Sequence, residues 1–543
     1  MRLKEKNGSQ NGMKLSKEVL AGMNKINVDL LVIGAGATGA SVAYEAMQRG
    51  LKVGLVDAGD IGGGTSSRST KLLHGGVRYL ELAFKTLDLS QLKLVREALL
   101  ERGFWLNEVP FLARSIELAL PTPNCFNKAY YGLGLKAYDI LAGSSNIGAS
   151  RLLSKEEINK AIPLLRGSID GGVAYKDGYF DDARLNLLLA LTSEREGAHI
   201  KTYSKVLEFK YRENGQICGA ISQGIDGSQQ SWECKAVVNA TGIGSDKIRH
   251  LADPNVEQRI LISKGMHLVI EQNLCPEGIG LLIPSTDDGR VLFVLPFFGR
   301  TQIGTTDSRC NIDEANWPSP IEESYLIRHI KSWFPNLKEP TISSRWSGGR
   351  PLLMPSKHDM NSSDVVREHE IEVLSCGLIS AMGGKWTTSR KIALDTLQEV
   401  EKILDIKLSH KKRIPLIGCK SDSHQTRLSL LKDREELSRF LPDSICKQQQ
   451  IEHLQSNFGL EALSVILKAP IEKRKPLSQV IPVCIAEIEH AIDNEHARTT
   501  TDILARRNRL AMIDINEAKR IIPIVQQKLE ERNLPKSNLD LSK

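Results

Sequence analysis

The sequence lacks the features that mark metal-binding, disulfide-bonded and membrane-spanning proteins. Its nine cysteines are scattered from Cys125 to Cys484 without a Cys-x-x-Cys pair. This argues against zinc, an iron–sulfur cluster or a disulfide framework, and favours reduced, mostly buried thiols in a cytosolic chain. No uninterrupted apolar stretch approaches the roughly 20 residues that cross a bilayer. Internal repeats and low-complexity tracts are also missing, which argues against a repeat protein or a compositionally biased, disordered chain.

The charge of the chain and its first residues exclude further classes. A net charge of +7 over 543 residues is far from the dense basic clustering of nucleic-acid-binding proteins, but it is compatible with an anionic substrate or membrane surface. Residues 1–27 are polar and have no apolar core, which argues against a secretory signal. Glu5, Glu18 and a single arginine disfavour an organelle transit peptide. We therefore predict a disordered leader over residues 1–27.

The most informative stretch runs from Asp29 to Asp57. An apolar run meets a glycine-rich turn, a segment of helical composition follows, and a second apolar run ends on an acid; these parts are Leu30–Ile33, Gly34-Ala-Gly36-Ala-Thr-Gly39, Ala40–Arg49, Leu51–Val56 and Asp57. This order is the dinucleotide-binding βαβ fingerprint, in which the pyrophosphate lies on the helix N-terminus. Asp57 is placed to bind both ribose hydroxyls and to repel the 2′-phosphate of NADP.

Three later segments are predicted to touch the same cofactor. A loop rich in glycine and hydroxyl side chains leads into a stretch that carries Lys71, Leu72, His74, Arg78 and Tyr79. An apolar strand ends in Thr241-Gly242, and another ends in Gly383-Gly384-Lys385-Trp386-Thr387-Thr388 before a helix. A strand, a double glycine and a helix N-terminus together can hold polar or anionic ligand groups on backbone amides.

The remaining periodicity predicts helices over residues 86–103, 130–141, 183–197 and 389–404, the third capped by Asp181 or Asp182. Alternating apolar runs between residues 260 and 306 predict an antiparallel sheet that roofs the cofactor. From residue 427 onward the pattern is helical, with Thr499 to Asp502 as a cap. We interpret residues 407–413 and the arginines Arg506, Arg507 and Arg509 as solvated charge, with anionic lipid head groups as the alternative.

In this order the motifs resemble the FAD-dependent glycerol-3-phosphate dehydrogenases, a branch of the D-amino-acid-oxidase-like flavoproteins. The matching segments span residues 29 to 507: IGAGATGA, TSSRSTKLLHGGVRYLE from Thr65, YKDGYFDDARL from Tyr175, VNATG from Val238, KGMHLV from Lys264, IGTTD from Ile303, SGGRPL from Ser347, GGKWTT from Gly383 and ARTTTDILARR from Ala497. Two departures are visible: Asp57 stands where the family often has Glu, and the leader has no counterpart.

The resemblance implies an α/β fold: a Rossmann-like FAD-binding domain with an inserted antiparallel-sheet substrate domain and an all-α C-terminal domain. The implied boundaries are a leader at 1–27, the oxidoreductase region at 28–404 and the helical domain at 405–543. Within the oxidoreductase region, FAD-binding segments are expected near 28–110, 170–260 and 370–404, and substrate segments near 111–169 and 261–369.

The resemblance also implies non-covalent FAD and oxidation of sn-glycerol 3-phosphate to dihydroxyacetone phosphate, with hydride passing from C2 to flavin N5 and electrons to a membrane quinone. A phosphate dianion calls for a guanidinium fork, which suggests Arg78 and Arg350. His74 is our first choice of base and His267 the reserve, although a histidine in an apolar strand is more often a core residue. Lys385 would stabilise charge at the flavin or touch substrate, and Tyr79 and Thr305 are further substrate contacts. The predicted cofactor contacts are Gly34, Gly36, Gly39, Asp57, Thr65, Ser66, Ser67, Lys71, Leu72, His74, Val206, Thr241, Gly242, Gly383, Gly384, Lys385 and Thr387.

Several alternatives remain open at the level of sequence. Oxygen could replace quinone as acceptor, which would make the protein a glycerol-3-phosphate oxidase. An amine or amino-acid oxidase of the same superfamily would need one arginine for a carboxylate rather than two for a phosphate. A non-catalytic flavin-binding or assembly protein would be yellow but would not be bleached by any polyol phosphate. The implied location is cytoplasmic, with peripheral association on the cytoplasmic face of the inner membrane and a homodimer left open. Neither a metal nor a nucleic-acid partner is expected.

Overall fold

The structure is a computed structural model that describes residues 24–76, 89–284, 286–354, 369–411 and 413–542. The predicted site residues Arg78 and Tyr79, and residues 1–23 of the predicted leader, lie outside these ranges. The strands are β1 Lys25–Asn27, β2 Leu30–Ile33, β3 Val53–Val56, β4 Leu72–Leu73, β5 Ala113–Pro121, β6 Arg151–Leu153, β7 Gly172–Phe180, β8 His199–Lys201, β9 Ser204–Tyr211, β10 Ile217–Gly224, β11 Gln229–Glu233, β12 Ala236–Asn239, β13 Ile260–Ile270, β14 Gly280–Ile283, β15 Leu292–Phe297, β16 Arg300–Gly304, β17 Ser308–Arg309, β18 Ile342–Leu353, β19 His369–Val373 and β20 Leu378–Gly383.

The α-helices of the described residues range from four to twenty residues. They are α1 Ala37–Gln48, α2 Leu89–Glu108, α3 Cys125–Ala142, α4 Lys155–Ala161, α5 Asp182–Arg195, α6 Ser245–Ala252, α7 Pro320–Trp333, α8 Ser389–Leu404, α9 Ser423–Phe440, α10 Lys447–Phe458, α11 Ala462–Leu467, α12 Ile485–Asn494, α13 Leu510–Ile513 and α14 Ile515–Glu530. The predicted bounds of α8 are met, and Asp181 caps α5 by accepting a hydrogen bond from the Arg184 amide.

A six-stranded sheet forms the centre of the cofactor-binding part. Its strand order is β19-β20-β12-β2-β3-β8, and all neighbours are parallel except β19 and β20. The residues of β2, β3 and β12 are all buried. Such continuous apolar strands need helices on the sheet faces, and α1 packs against both α5 and α8. This arrangement confirms the predicted Rossmann-like fold.

A second sheet has ten strands in the order β17-β13-β16-β15-β14-β5-β7-β4, with β18 beside β13 and β6 beside β7. It is antiparallel except for the parallel pair β5 and β14. The predicted antiparallel strands after residue 260 belong to this sheet, and so do β4 and β7, which the sequence placed in FAD-binding segments. One sheet therefore joins residues from both sides of the site.

The predicted disordered leader is wrong at its last residues. Lys25–Asn27 forms β1, which pairs in parallel with Ser231 to Glu233 of β11 in a four-stranded sheet. The sequence analysis missed this strand because three residues carry too little periodicity, and the partner strand lies some two hundred positions away.

The expectation of a solvated arginine run in the C-terminal domain is also wrong. Arg506, Arg507 and Arg509 lie on a π-helical turn and the residues after it, and at most 6% of each is exposed. Their guanidinium groups pair with Asp60 and Asp182 of the cofactor-binding part. Buried guanidinium groups require such partners, and both partners lie more than three hundred positions before the arginines. By contrast, residues 407, 409–411 and 413 of the earlier basic run are exposed, as expected.

No helix in the described part of the chain combines the length and the apolarity that crossing a bilayer requires.

Candidate active site

The glycine turn closes tightly on the neighbouring strand ends. Gly34 has a φ of +102°, and its amide donates to the Val56 carbonyl oxygen at 2.7 Å. A β-carbon at Gly39 would overlap the Gly34 carbonyl oxygen. Both positions therefore need glycine, and the N-terminus of α1 is left facing the carboxyl ends of β2 and β12.

Asp57 joins this turn to the end of β3. One carboxylate oxygen accepts the Ala35 amide at 2.6 Å and the other accepts the Gly59 amide at 2.8 Å. The carboxylate is thus fixed at the carboxyl edge of the sheet, where an adenosine ribose lies in folds of this type.

The predicted cofactor segments converge on the N-terminus of α1. Ser66 Oγ accepts the Ala37 amide at 2.8 Å, and the Trp386 indole donates to the Ser66 carbonyl oxygen at 3.1 Å. The His74 amide lies 3.3 Å from Thr387 Oγ1. Segments 34–39, 65–67, 74 and 386–387 therefore form one cradle, and its donors and small residues fit a dinucleotide.

Some of the other predicted cofactor contacts lie next to this cradle, and two are core residues. The end of β12 lies against Gly34, and Thr241 Oγ1 donates to Asn239 Oδ1 at 2.7 Å. Gly242, Gly383 and Gly384 all have positive φ. Lys385, half-buried, begins the turn that includes Thr387, whereas Leu72 and Val206 are buried core residues of β4 and β9.

Arg350 belongs to β18, and its side chain lies on the same face of the sheet as residues 263, 265 and 267 of the neighbouring strand β13. Its Nη2 donates to Thr305 Oγ1 at 2.9 Å and its Nη1 donates to the Thr306 carbonyl oxygen at 3.2 Å. A β-carbon at Gly265 would overlap Nη2 of the guanidinium. Because alternate residues of a strand share a face, the missing side chain at 265 lets Arg350 lie between Ser263 and His267.

His267 is held on three sides. Its ring stacks on Trp346 at 5.4 Å between ring centres and an angle of 11°, and its Nε2 is 2.9 Å from Thr70 Oγ1. Its buried Nδ1 has no hydrogen-bond partner. Burial, together with the charges of Lys71 and Arg350, holds the pKa of His267 well below its usual range, so that the imidazole is neutral near pH 7.

Lys71 lies behind this histidine. Its ammonium is 4.9 Å from the Trp346 ring centre and 3.6 Å from Asp182 Oδ1. Burial lowers the pKa of Lys71 to about 8, while the charge of Asp182 opposes that shift. The side chain of Lys71, predicted as a cofactor contact, therefore also packs against Trp346, the residue on which His267 stacks.

Two family models match consecutive parts of the chain. The model described as FAD dependent oxidoreductase matches residues 29–390, and the model described as C-terminal domain of alpha-glycerophosphate oxidase matches residues 409–533. The probable mitochondrial glycerol-3-phosphate dehydrogenase of Dictyostelium discoideum is 38% identical over 92% of this chain and 80% of its own length. The mitochondrial enzyme of Rattus norvegicus is 34% identical over 92% and 70%.

The chain belongs to the glycerol-3-phosphate dehydrogenase family. A solved member from Bacillus halodurans, complexed with FAD, covers 95% of this chain and 92% of its own, with a TM-score of 0.75 and 25% identity. An L-alpha-glycerophosphate oxidase from Mycoplasma pneumoniae with FAD bound shares the fold at a TM-score of 0.55 and 19% identity, covering 72% of this chain and 98% of its own. The cofactor of the family, FAD, fits the cradle described above.

The structure places the predicted site residues in two separate groups. Arg350, Thr305 and His267 lie together at the ten-stranded sheet, whereas His74 lies at the cradle, next to Thr387. Trp346 and Thr70, which hold His267, were present in the quoted segments or beside them, but nothing in the sequence gave them a role. Asp182, predicted only as a possible helix cap, contacts Lys71 and Ser69 of the cofactor loop.

Proposed function

We propose that this protein oxidises sn-glycerol 3-phosphate to dihydroxyacetone phosphate and delivers the electrons to a membrane quinone. The observation that carries the proposal is the placement of the Arg350 guanidinium over Gly265, next to a neutral histidine, in a chain of this family. A planar fork binds a phosphate dianion through two parallel hydrogen bonds. FAD, when bound, supplies the acceptor for the hydrogen that leaves carbon 2 as hydride.

The test is anaerobic titration of the purified holoprotein with glycerol 3-phosphate. We expect the flavin absorbance to bleach with one equivalent of substrate. Glycine and sarcosine, which test the amino-acid oxidase alternative, should leave the spectrum unchanged. Bleaching by those amines alone, or by no compound, would overturn the assigned substrate.

We assign the proton-accepting role to the imidazole of His267 and not to His74. His267 shares a strand face with the Arg350 guanidinium, and Thr70 fixes the orientation of its ring. A phosphate dianion on Arg350 would offset the positive charge that lowers the pKa of His267, so substrate binding itself would make the imidazole a stronger base.

Substitution of the two histidines separates these roles. His267→Asn keeps a polar side chain but cannot take the proton, and it should slow anaerobic flavin reduction by roughly 10²- to 10⁴-fold at neutral pH. His74→Asn should change that rate constant by less than about tenfold, because its amide contact with Thr387 remains. Stopped-flow absorbance checks both, with flavin content as the control; the opposite ranking would assign the base to His74.

The quinone part of the proposal is supported by an exposed apolar face on α3. Phe126, Tyr130, Leu133 and Ile140 follow helical spacing, and between 51% and 83% of each is exposed. Lys136 lies on the same helix with 58% of its side chain exposed. An apolar stripe with basic residues at its border suits the surface of an anionic bilayer.

The opposite face of α3 reaches the predicted site. Tyr138 Oη accepts the Gly75 amide at 2.8 Å, one residue after His74, and lies within 3.2 Å of both carboxylate oxygens of Asp177. The same helix therefore connects the proposed membrane surface with residues 74–76 after β4, and this connection supports a lipid-soluble acceptor on the cofactor side of the protein.

Substitutions on this face test the acceptor. Leu133→Glu with Ile140→Glu should weaken binding to vesicles of anionic phospholipid by roughly 10²-fold or more, because burying two such side chains contributes about 3–6 kcal/mol. Vesicle co-sedimentation measures binding, and a water-soluble quinone analogue measures unchanged turnover. Ile445→Glu, at a site 94% exposed in the C-terminal domain, is the matched control.

Equal binding by all three proteins would remove α3 as the docking face. Hydrogen peroxide formed in stoichiometric amounts with product, with no reduction of the quinone analogue, would favour the oxidase alternative instead.

A further inference from the structure

Loop 60–71, which we call the clamp loop, contributes residues 65–67 to the cofactor cradle and also contacts strand β18. Ser66 in this loop accepts the first amide of α1, the helix that carries the pyrophosphate fingerprint. On the other side, Thr65 Oγ1 donates to the Gly349 carbonyl oxygen, directly before Arg350. The position of the clamp loop therefore sets the distance between the FAD helix and the substrate arginine.

The C-terminal domain contacts the clamp loop at its start and at Ser67. At its start, Asp60 is 2% exposed and accepts Arg506 Nε at 2.6 Å and Arg507 Nη2 at 2.7 Å. Further along, Arg509 Nη2 donates to the Ser67 carbonyl oxygen at 3.0 Å and to Asp182 Oδ1 at 2.8 Å. All of these guanidinium groups come from residues more than four hundred positions away in the chain.

Asp182 connects Arg509 to the last residues of the clamp loop. Its other oxygen accepts both the amide and the hydroxyl of Ser69, at 2.8 and 2.7 Å, and its Oδ1 pairs with Lys71. The carboxylate is fully buried. Removal of one guanidinium would leave this carboxylate with less charge compensation inside the protein, so the loop conformation and the interdomain contact depend on each other.

Arg509 is also unusual in its backbone. It has a φ of +66°, in the left-handed region that non-glycine residues rarely adopt. A side chain held at such a position by contacts to a loop of another domain points to a functional constraint.

We propose that Arg507 and Arg509 are positioning residues for the flavin, and that the C-terminal domain holds the clamp loop in the conformation that binds FAD. The domain then controls cofactor retention through Asp60 and Asp182 without contacting the reacting atoms. This inference rests on FAD as the cofactor and does not depend on which alcohol is oxidised.

The test compares FAD affinity with stability in the full-length protein. Arg509→Gln and Arg507→Gln should each raise the Kd for FAD, measured by fluorescence titration of the deflavinated protein, by about tenfold or more, because only a fraction of molecules then holds the competent loop. The rise in Tm that FAD causes should shrink accordingly. Arg532→Gln, which removes an exposed pair with Asp493, is the control.

A merely structural role predicts a different result. Equal falls in the Tm of the apo and FAD-loaded forms, with an unchanged Kd for FAD, would overturn the proposal. If the glutamine variants fail to fold, Arg509→Lys keeps the charge but loses the planar guanidinium, whose Nη1 donates to the Ala505 carbonyl oxygen while Nη2 donates to Ser67 and Asp182. That variant should still raise the Kd for FAD, and wild-type affinity in it would also overturn the proposal.

Discussion

Arg350→Lys is expected to raise the KM for glycerol 3-phosphate by roughly 10²-fold or more while the flavin content stays at the wild-type level. Hydrogen bonds to charged groups contribute about 1.5–3 kcal/mol each, and a lysine ammonium cannot reproduce the planar fork. The Arg350 guanidinium also occupies the space that Gly265 leaves open on β13, which a lysine would not fill in the same way. Steady-state kinetics with a soluble acceptor measure the change.

Arg345→Lys is the matched control for this variant. Arg345 lies on the same strand β18, but half of its side chain is exposed and it pairs with Glu323. We expect the KM of Arg345→Lys to stay within about twofold of the wild-type value, because exposed ion pairs contribute little free energy. An unchanged KM in Arg350→Lys would remove Arg350 from the phosphate site.

Gly36→Val should yield folded but colourless protein. A β-carbon at this position would lie 3.0 Å from Ser66 Oγ, and the two methyl groups of valine would displace the hydroxyl that accepts the Ala37 amide. Overpacking of this kind costs about 1–3 kcal/mol even without a ligand, and the valine would also keep a pyrophosphate away from the backbone, so we expect less than roughly a tenth of the wild-type flavin.

The flavin absorbance of the purified protein, relative to its protein absorbance, measures this loss. Gly167→Val is the control, because nothing lies within 4 Å of a β-carbon there. A yellow Gly36→Val protein would contradict the assignment of the turn to the cofactor.

The cofactor side of the site could be predicted because its signals are local. The turn from Gly34 to Gly39, the strand before it and the acid after it lie within thirty residues, and the structure places them as the fingerprint requires. The same holds for the helix Ser389–Leu404, whose predicted bounds are those observed. Local glycine and hydrophobic patterns fix such units without knowledge of the rest of the chain.

The substrate side could not be derived in the same way, because its geometry depends on pairing between distant strands. Arg350 meets His267 only through the register of β13 with β18, which sets Ser263 opposite Arg350 and His267 opposite Trp346. A shift by one residue would turn these side chains to the other face. The choice of His74 as base depended on the unperturbed pKa of a histidine, because the sequence alone does not show which histidine shares a strand face with Arg350.

The buried arginines show a second reason why the sequence alone did not predict the whole structure. Arg506 and its carboxylate partner Asp60 are 446 positions apart, so no window of the sequence contains both. A charged residue in a helical stretch is usually solvated, and this general rule gave the wrong prediction for all three arginines.

The order of strands in the cofactor sheet has a consequence for biosynthesis. β2 lies between β3 and β12, and β12 needs β20 on its other side, so the sheet uses residues from position 30 to position 383. A growing polypeptide cannot complete this sheet until more than two thirds of it has left the ribosome, and Arg507 emerges later still. Until β12 emerges, β2 therefore lacks its second neighbour, and nascent chains that stop before the last helices should be poor at acquiring their coenzyme.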